Sequence, residues 1–198
     1  MVDRLANPVA ERGKLAVVAA MSFLWVTPTV VFWGAVFGPL RPHGYPAVDV
    51  APSALGFAAG VLVCLLPLAL PAAYFRCWEG GRGVRLYEAV GVPLFRRFAT
   101  NGDLVNRWAR RGDPGYRFVR GRAGVRALLA GTREGERSHL VLLVVGLVTA
   151  LYAARIGWHG WATWLSVGNL VFNAYPVLLQ RYNRCRVECG RLGSRGLE

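Results

Sequence analysis

Four stretches of the chain are continuously apolar, and polar, arginine-rich segments separate them. Residues 15–40, 52–75, 140–154 and 158–179 contain no Lys, Arg, Asp or Glu; His159 stands near the start of the last. A helix that crosses hydrocarbon needs about 20 residues at a rise of about 1.5 Å each. The first, second and fourth stretches reach that length. The third is short and borrows Ser138 and His139 at one end and Arg155 and Ile156 at the other. The pattern predicts an all-α integral membrane protein, one domain over residues 1–198. Its four transmembrane helices fall at about 15–40, 52–75, 138–156 and 158–180. A soluble fold would have to bury three long helices that are apolar on every face, which a chain of 198 residues does not favour. The first stretch exceeds the 7–15 residues of a signal-peptide core (roughly), and no small-residue cleavage site follows it, so it reads as a retained span.

The polar segments carry a finer pattern. Residues 76–137 interleave aromatics with arginines. Leu86, Val90, Leu94 and Phe98 recur every fourth residue and predict an amphipathic helix on the membrane surface, although Pro93 opposes a continuous one. Asn101-Gly102 and Asp113-Pro114-Gly115 are turn signals, and residues 121–132 predict a further helix with Val125, Leu128 and Leu129 on one face. Gly135 weakens the first turns of the helix that follows. Within the spans, Pro28 and Gly34 predict a kink in the first, and Pro67 and Pro71 a bend in the second.

Charge then orients the spans. The loop over 76–137 holds fourteen arginines against six acids, and the tail from Arg181 five against two. The segment 41–51 carries one of each sign. Positive residues stay inside, so both termini and the long loop are predicted to be cytoplasmic in a multi-pass cell-membrane protein. The net charge of +13 points to anionic lipid head groups as partners rather than nucleic acid, because the basic residues flank membrane segments. Lys14 is the only lysine among twenty-four basic residues. Cys64 falls in a span as a small apolar residue. Cys77, Cys185 and Cys189 fall on the predicted cytoplasmic side and are expected as thiols or acylation sites. No metal site is expected.

Three groups of residues carry chemistry. Glu136 and His139 stand three apart on one helix face at the water boundary; a carboxylate there can fix the imidazole's tautomer, and the imidazole can then serve as a general base. The bland alternative is a pair of polar residues that ends a span. Asn173, one turn after Asn169 and two turns before Gln180, puts an amide inside an apolar helix, where it serves either a site or interhelical hydrogen bonding. Gln180, Arg181, Tyr182, Asn183, Arg184 and Arg186 end the last span in a cationic cluster. Basic residues at that position are ordinary topology anchors, but guanidinium groups also bind phosphate in two-pronged fashion. The short turn between spans three and four makes an antiparallel hairpin, which predicts that Glu136 and His139 meet the cluster at one depth.

These segments resemble a known family. Glu136-x-x-His139, a hydrophobic hairpin, then Asn173-x6-Gln180-Arg181-Tyr182-Asn183-Arg184-x-Arg186 looks like the glycosyl-4,4'-diaponeurosporenoate acyltransferases of staphyloxanthin-type carotenoid biosynthesis. The segment 87-YEAVGVPLFRR-97 is similar to a cytoplasmic region of the same family. Leu140, Cys185 and Val187 depart from residues common in that family. The resemblance implies a membrane enzyme that moves a fatty acyl group onto a sugar hydroxyl of a glycosylated lipid. Acyl-coenzyme A or a similar donor would be the co-substrate, and no bound cofactor is implied. In that reading Glu136 and His139 are catalytic, and Asn173 with residues 180–184 and Arg186 binds substrates. His43 and Asp49 lie one residue too far apart for a His-x4-Asp motif, and no Gly-x-Ser-x-Gly elbow occurs, so transfer would be direct. Two other classes compete: a non-catalytic scaffold binding anionic lipid, and a small membrane methyltransferase acting on a lipid.

Overall fold

The computed structural model describes residues 8–38, 40, 52–76, 80–100, 102–116, 119 and 121–195. The protein is all-helical, with no strand among the described residues. The helices are α1 (Pro8–Val36), α2 (Ala54–Leu65), α3 (Gly80–Ala89), α4 (Val92–Arg96), α5 (Asp103–Gly112), α6 (Gly121–Arg155), α7 (His159–Asn169) and α8 (Tyr175–Arg195).

The chain forms two compact units. One comprises Met1–Met21, Phe75–Gly135 and Leu178–Glu198; the other comprises Ser22–Tyr74 and Glu136–Val177. The second holds most of the apolar sequence. Its centre is an aromatic cluster in which Phe32 meets the rings of Trp33, Trp158 and Trp161 at centroid distances of 5.4, 5.8 and 5.9 Å. The edge-to-face pairs with Trp33 and Trp158 add to the burial of the rings themselves. The Trp33 indole donates to the Thr149 hydroxyl at 3.3 Å, which satisfies a polar group on an otherwise apolar helix.

Two helical stretches, Glu11–Val36 and Gly121–Arg155, are long and apolar enough to cross a membrane. Only 17% and 22% of their apolar windows are buried, whereas the core helix of a soluble protein would be mostly buried. Their side chains face outward instead, as at Phe23, 68% exposed. In α2 no residue is buried, and Leu55 is 81% exposed. Outward-facing apolar surface on this scale suits contact with lipid.

The second expected span is interrupted. Ser53 caps α2 by accepting from the Gly56 amide at 3.1 Å, and α2 stops at Leu65 ahead of Pro67. Short 3₁₀ turns at Leu66–Ala69 and Ala72–Phe75 follow, separated by extended backbone at Leu70. Each proline removes an amide donor, and the tighter turns absorb the loss. In α1, by contrast, the helix runs on through Pro28. The expected fourth span is one continuous helical run in which Leu170–Ala174 forms a single π-turn between α7 and α8. The α6–α7 connection turns at Gly157, whose φ of +79° suits glycine, and the Trp158 amide donates to the Ala153 carbonyl at 2.9 Å. The short antiparallel hairpin expected from the sequence is present here.

In the first unit, the start of α1 packs on α5: a Cβ placed on Gly13 would sit 3.3 Å from Val105. The amphipathic helix expected over residues 86–98 is broken in two. Gly91, at φ +81°, ends α3, and Pro93 opens α4. Leu86, Val90, Leu94 and Phe98 nonetheless all remain exposed, as an interfacial face requires. The helix expected over 121–132 is the first third of α6, which continues through Gly135 without a break. Cys64 is a free thiol. Cys185, expected as a thiol, is buried and disulfide-bonded; Cys77 and the Cys189 side chain lie outside the described residues.

Candidate active site

The candidate residues fall into the two units, and each group has its own chemistry. In the second unit, α6 presents Glu136 and His139, and the π-turn presents Asn173. Glu136 is 0% exposed and Asn173 is 1% exposed. An amide chain organises this group. The Asn169 amide nitrogen donates to the Leu143 carbonyl at 2.9 Å, and the Asn173 amide nitrogen donates to the Asn169 Oδ1 at 2.8 Å. The chain needs Gly146 on α6, because any Cβ there would overlap the Asn169 amide.

His139 closes the chain. Its imidazole hydrogen-bonds to the Asn173 side chain and to the Phe172 backbone, while Nδ1 is buried with no partner. The bonds therefore run through Nε2, and Nδ1 is left inside the protein without a partner. A π-turn displaces the backbone of Phe172 and Asn173 from the regular helical ladder, which is how a main-chain carbonyl becomes available to a side chain.

The Asn173 amide has a second possible orientation. Rotated by 180°, its oxygen would accept from the Trp25 indole at 3.1 Å and its nitrogen would donate to the Phe172 carbonyl at 3.0 Å. The anchor on Leu143 decides between them. It turns the Asn169 oxygen towards Asn173, and an oxygen there calls for the Asn173 nitrogen.

In the first unit, α8 turns the remaining candidates in different directions. Tyr182 points into the core with Tyr87, Val92 and Cys185, and its hydroxyl donates to Glu88 Oε1 at 3.3 Å. The Tyr87 and Tyr182 rings meet edge to face at 6.5 Å. The two segments of the sequence signature, 87–97 and 180–186, thus pack on each other. Arg184 is 1% exposed, Arg181 is half-buried, and Arg186 is exposed with its guanidinium 5.4 Å from the Tyr182 ring centroid.

Gln180 and Asn183, three apart and so on one helix face, line a cavity of about 540 Å³. Arg96, Thr100, Asn106 and Thr132 share its wall, with Leu128 and Leu179 among its apolar lining. Arg181, Tyr182, Arg184 and Arg186 do not line it. Of Arg96, Thr100, Asn106 and Thr132, none belongs to the candidate site residues of the sequence; Arg96 falls in the 87–97 segment and Thr132 in the helix expected over 121–132. Among the described residues, no three His, Cys, Asp or Glu side chains gather as a metal site.

Outward-facing apolar helices suit a membrane-associated protein. The family comparison supplies the reaction class. Residues 71–190, more than half of the chain, match the glycosyl-4,4'-diaponeurosporenoate acyltransferase (CrtO) family, and the chain belongs to it. Enzymes of this family are acyltransferases. Comparison with curated proteins and with solved structures gave no significant match.

Proposed function

We propose that the protein transfers a fatty acyl group from acyl-coenzyme A, or a similar thioester, to a hydroxyl of a glycosylated, carotenoid-glycoside-like lipid at the cytoplasmic membrane face. In this reading four helical segments cross the bilayer, both termini are cytoplasmic, and anionic lipids neutralise the flanking arginines. The membership of an acyltransferase family supports the reaction class. The observation that carries the mechanism is His139, held by one nitrogen with the other buried and without a hydrogen-bond partner.

Nδ1 of His139 takes the proton of the acceptor hydroxyl as its oxygen attacks the thioester carbonyl. The tetrahedral adduct collapses, the carbon–sulfur bond breaks, and the imidazolium returns its proton to the departing thiolate. An ester and a free thiol result, with no covalent enzyme intermediate. Asn173 holds the ring, and Glu136, one turn earlier on α6, helps to orient it. Arg181 and Arg186, the accessible guanidinium groups of the cluster, bind the donor's phosphates, with the buried Arg184 behind them. Gln180 and Asn183 shape the acceptor side, while Tyr182 supports the helix from the core.

Purified protein in lipid nanodiscs, given radiolabelled acyl-coenzyme A and a glycolipid, should form a labelled acyl-glycolipid. Absence of product across a panel of glycolipids and thioesters would overturn the proposal and favour a scaffold. Product from labelled S-adenosylmethionine instead would favour a methyltransferase.

A further inference from the structure

The cavity of the first unit has a lining that does not match the arginine cluster beside it in sequence. Among the described residues its polar groups are Thr100, Asn106, Thr132, Gln180, Asn183 and one cation, Arg96. That cation is already paired: Arg96 Nη2 lies 3.3 Å from Asp103 Oδ1. A phosphate-bearing ligand calls for several converging guanidinium or ammonium groups. This cavity offers amides and hydroxyls, which donate and accept alike. Thr132 donates to the Leu129 carbonyl at 2.8 Å and so faces the cavity as an acceptor. Among the described residues the side chains of Thr100, Gln180 and Asn183 make no hydrogen bond, so their polar groups remain available. Two glycines pack against lining residues. Gln180 lies over Gly135, where a Cβ would come within 3.0 Å of its Nε2, and Gly102 leaves no room for a Cβ beside the Arg96 carbonyl.

We propose that this cavity binds a neutral polyhydroxylated ring, the sugar head group of the acceptor, through Thr100, Asn106, Gln180 and Asn183, and does not bind the phosphorylated donor. A cavity of about 540 Å³ falls within the usual range for a small-molecule site and exceeds what one hexose fills. The apolar part of its wall, including Leu128 and Leu179, suits the less polar face of a sugar ring. The assignment deepens the acyl-transfer reading by naming where the acceptor's head group sits, and binding tests it without turnover.

The test uses the full chain in phosphatidylcholine nanodiscs, with radiolabelled n-dodecyl-β-D-glucoside below its micellar concentration as one probe and radiolabelled palmitoyl-coenzyme A as the other. Dodecanol serves as the control for tail binding. Wild type should bind the glucoside more tightly than dodecanol. Gln180→Ala, Asn183→Ala and Asn106→Ala should each weaken glucoside binding about tenfold, leaving dodecanol and palmitoyl-coenzyme A binding within about twofold. Thr100→Val, which keeps the side chain's volume, gives the same reading if an alanine variant fails to fold. Glucoside binding that equals dodecanol binding, that is unmoved by all four substitutions, or that stays while palmitoyl-coenzyme A binding falls would overturn the proposal. If glucoside binding follows the variants but no acylated product ever forms, the head-group site stands and the acyl-transfer reading falls.

Discussion

Asn169 on α7 reaches across the hairpin to the Leu143 carbonyl of α6, 2.9 Å away, and it can do so only because residue 146 is glycine. The contact fixes the amide that orients Asn173 and, through it, His139. Buried amides between apolar helices are commonly simple interhelical ties. Here the tie ends on the His139 imidazole, the base of the proposed mechanism.

Gly146→Ala tests this contact. A methyl group overlaps the Asn169 amide and forces it off the carbonyl, leaving buried polar groups unpaired. A loss of about 1–3 kcal/mol is expected. Thermal unfolding in detergent should show a lower midpoint for this variant, and Gly131→Ala, where a Cβ meets nothing within 4 Å, should melt like wild type.

Asn173→Ala removes the group that holds His139. The turnover number should fall about tenfold to a hundredfold, while KM for both substrates changes little, because the lost contact orients a base and does not bind substrate. Asn169→Ala acts one step further back and should cost less. Equal losses in KM and turnover would instead place Asn173 on the substrate.

Tyr182 separates packing from hydrogen bonding. Tyr182→Phe loses only the bond to Glu88 at 3.3 Å and keeps the ring against Tyr87, so about 0.5–1.5 kcal/mol is expected. Tyr182→Ala empties a buried site and should cost about 3–5 kcal/mol. Chemical unfolding of the two variants should preserve that order.

Orientation in the bilayer is testable by accessibility. A reporter fused after Glu198 should be active only on the cytoplasmic side, and a cysteine introduced at Gly44 should react with a membrane-impermeant reagent from outside. Labelling of position 44 only after the cells are opened would reverse the orientation.

Much of this arrangement was legible in the sequence because it follows from helical period and hydropathy. The α6–α7 hairpin was legible in the short break at Arg155–Gly157 between two apolar runs, and the outward faces of α3 and α4 in the fourfold spacing of Leu86, Val90, Leu94 and Phe98. The π-turn at Leu170–Ala174 was not, because a single wide turn leaves no composition signature; the spacing of Asn169 and Asn173 marked the place but not the geometry. Residues 180–186 read as one cluster, yet a helix spreads consecutive residues around its axis, so Gln180 and Asn183 face a cavity while Tyr182 enters the core. Thr100, Asn106 and Thr132 belong to three separate segments and carry no motif. Only the tertiary fold brings them to one wall. The disulfide at Cys185 was missed for a related reason: compartment chemistry argued against it, and the packing that buries the residue was not visible.

The proposal depends most on His139 as the base. Single-turnover measurements with labelled palmitoyl-coenzyme A and dodecyl glucoside compare wild type, His139→Ala and His139→Gln, each first shown to bind both substrates. Formation of the ester should slow at least about a hundredfold in both variants, with binding retained. Ester formation within about twofold of wild type in either variant would show that His139 does not take the proton.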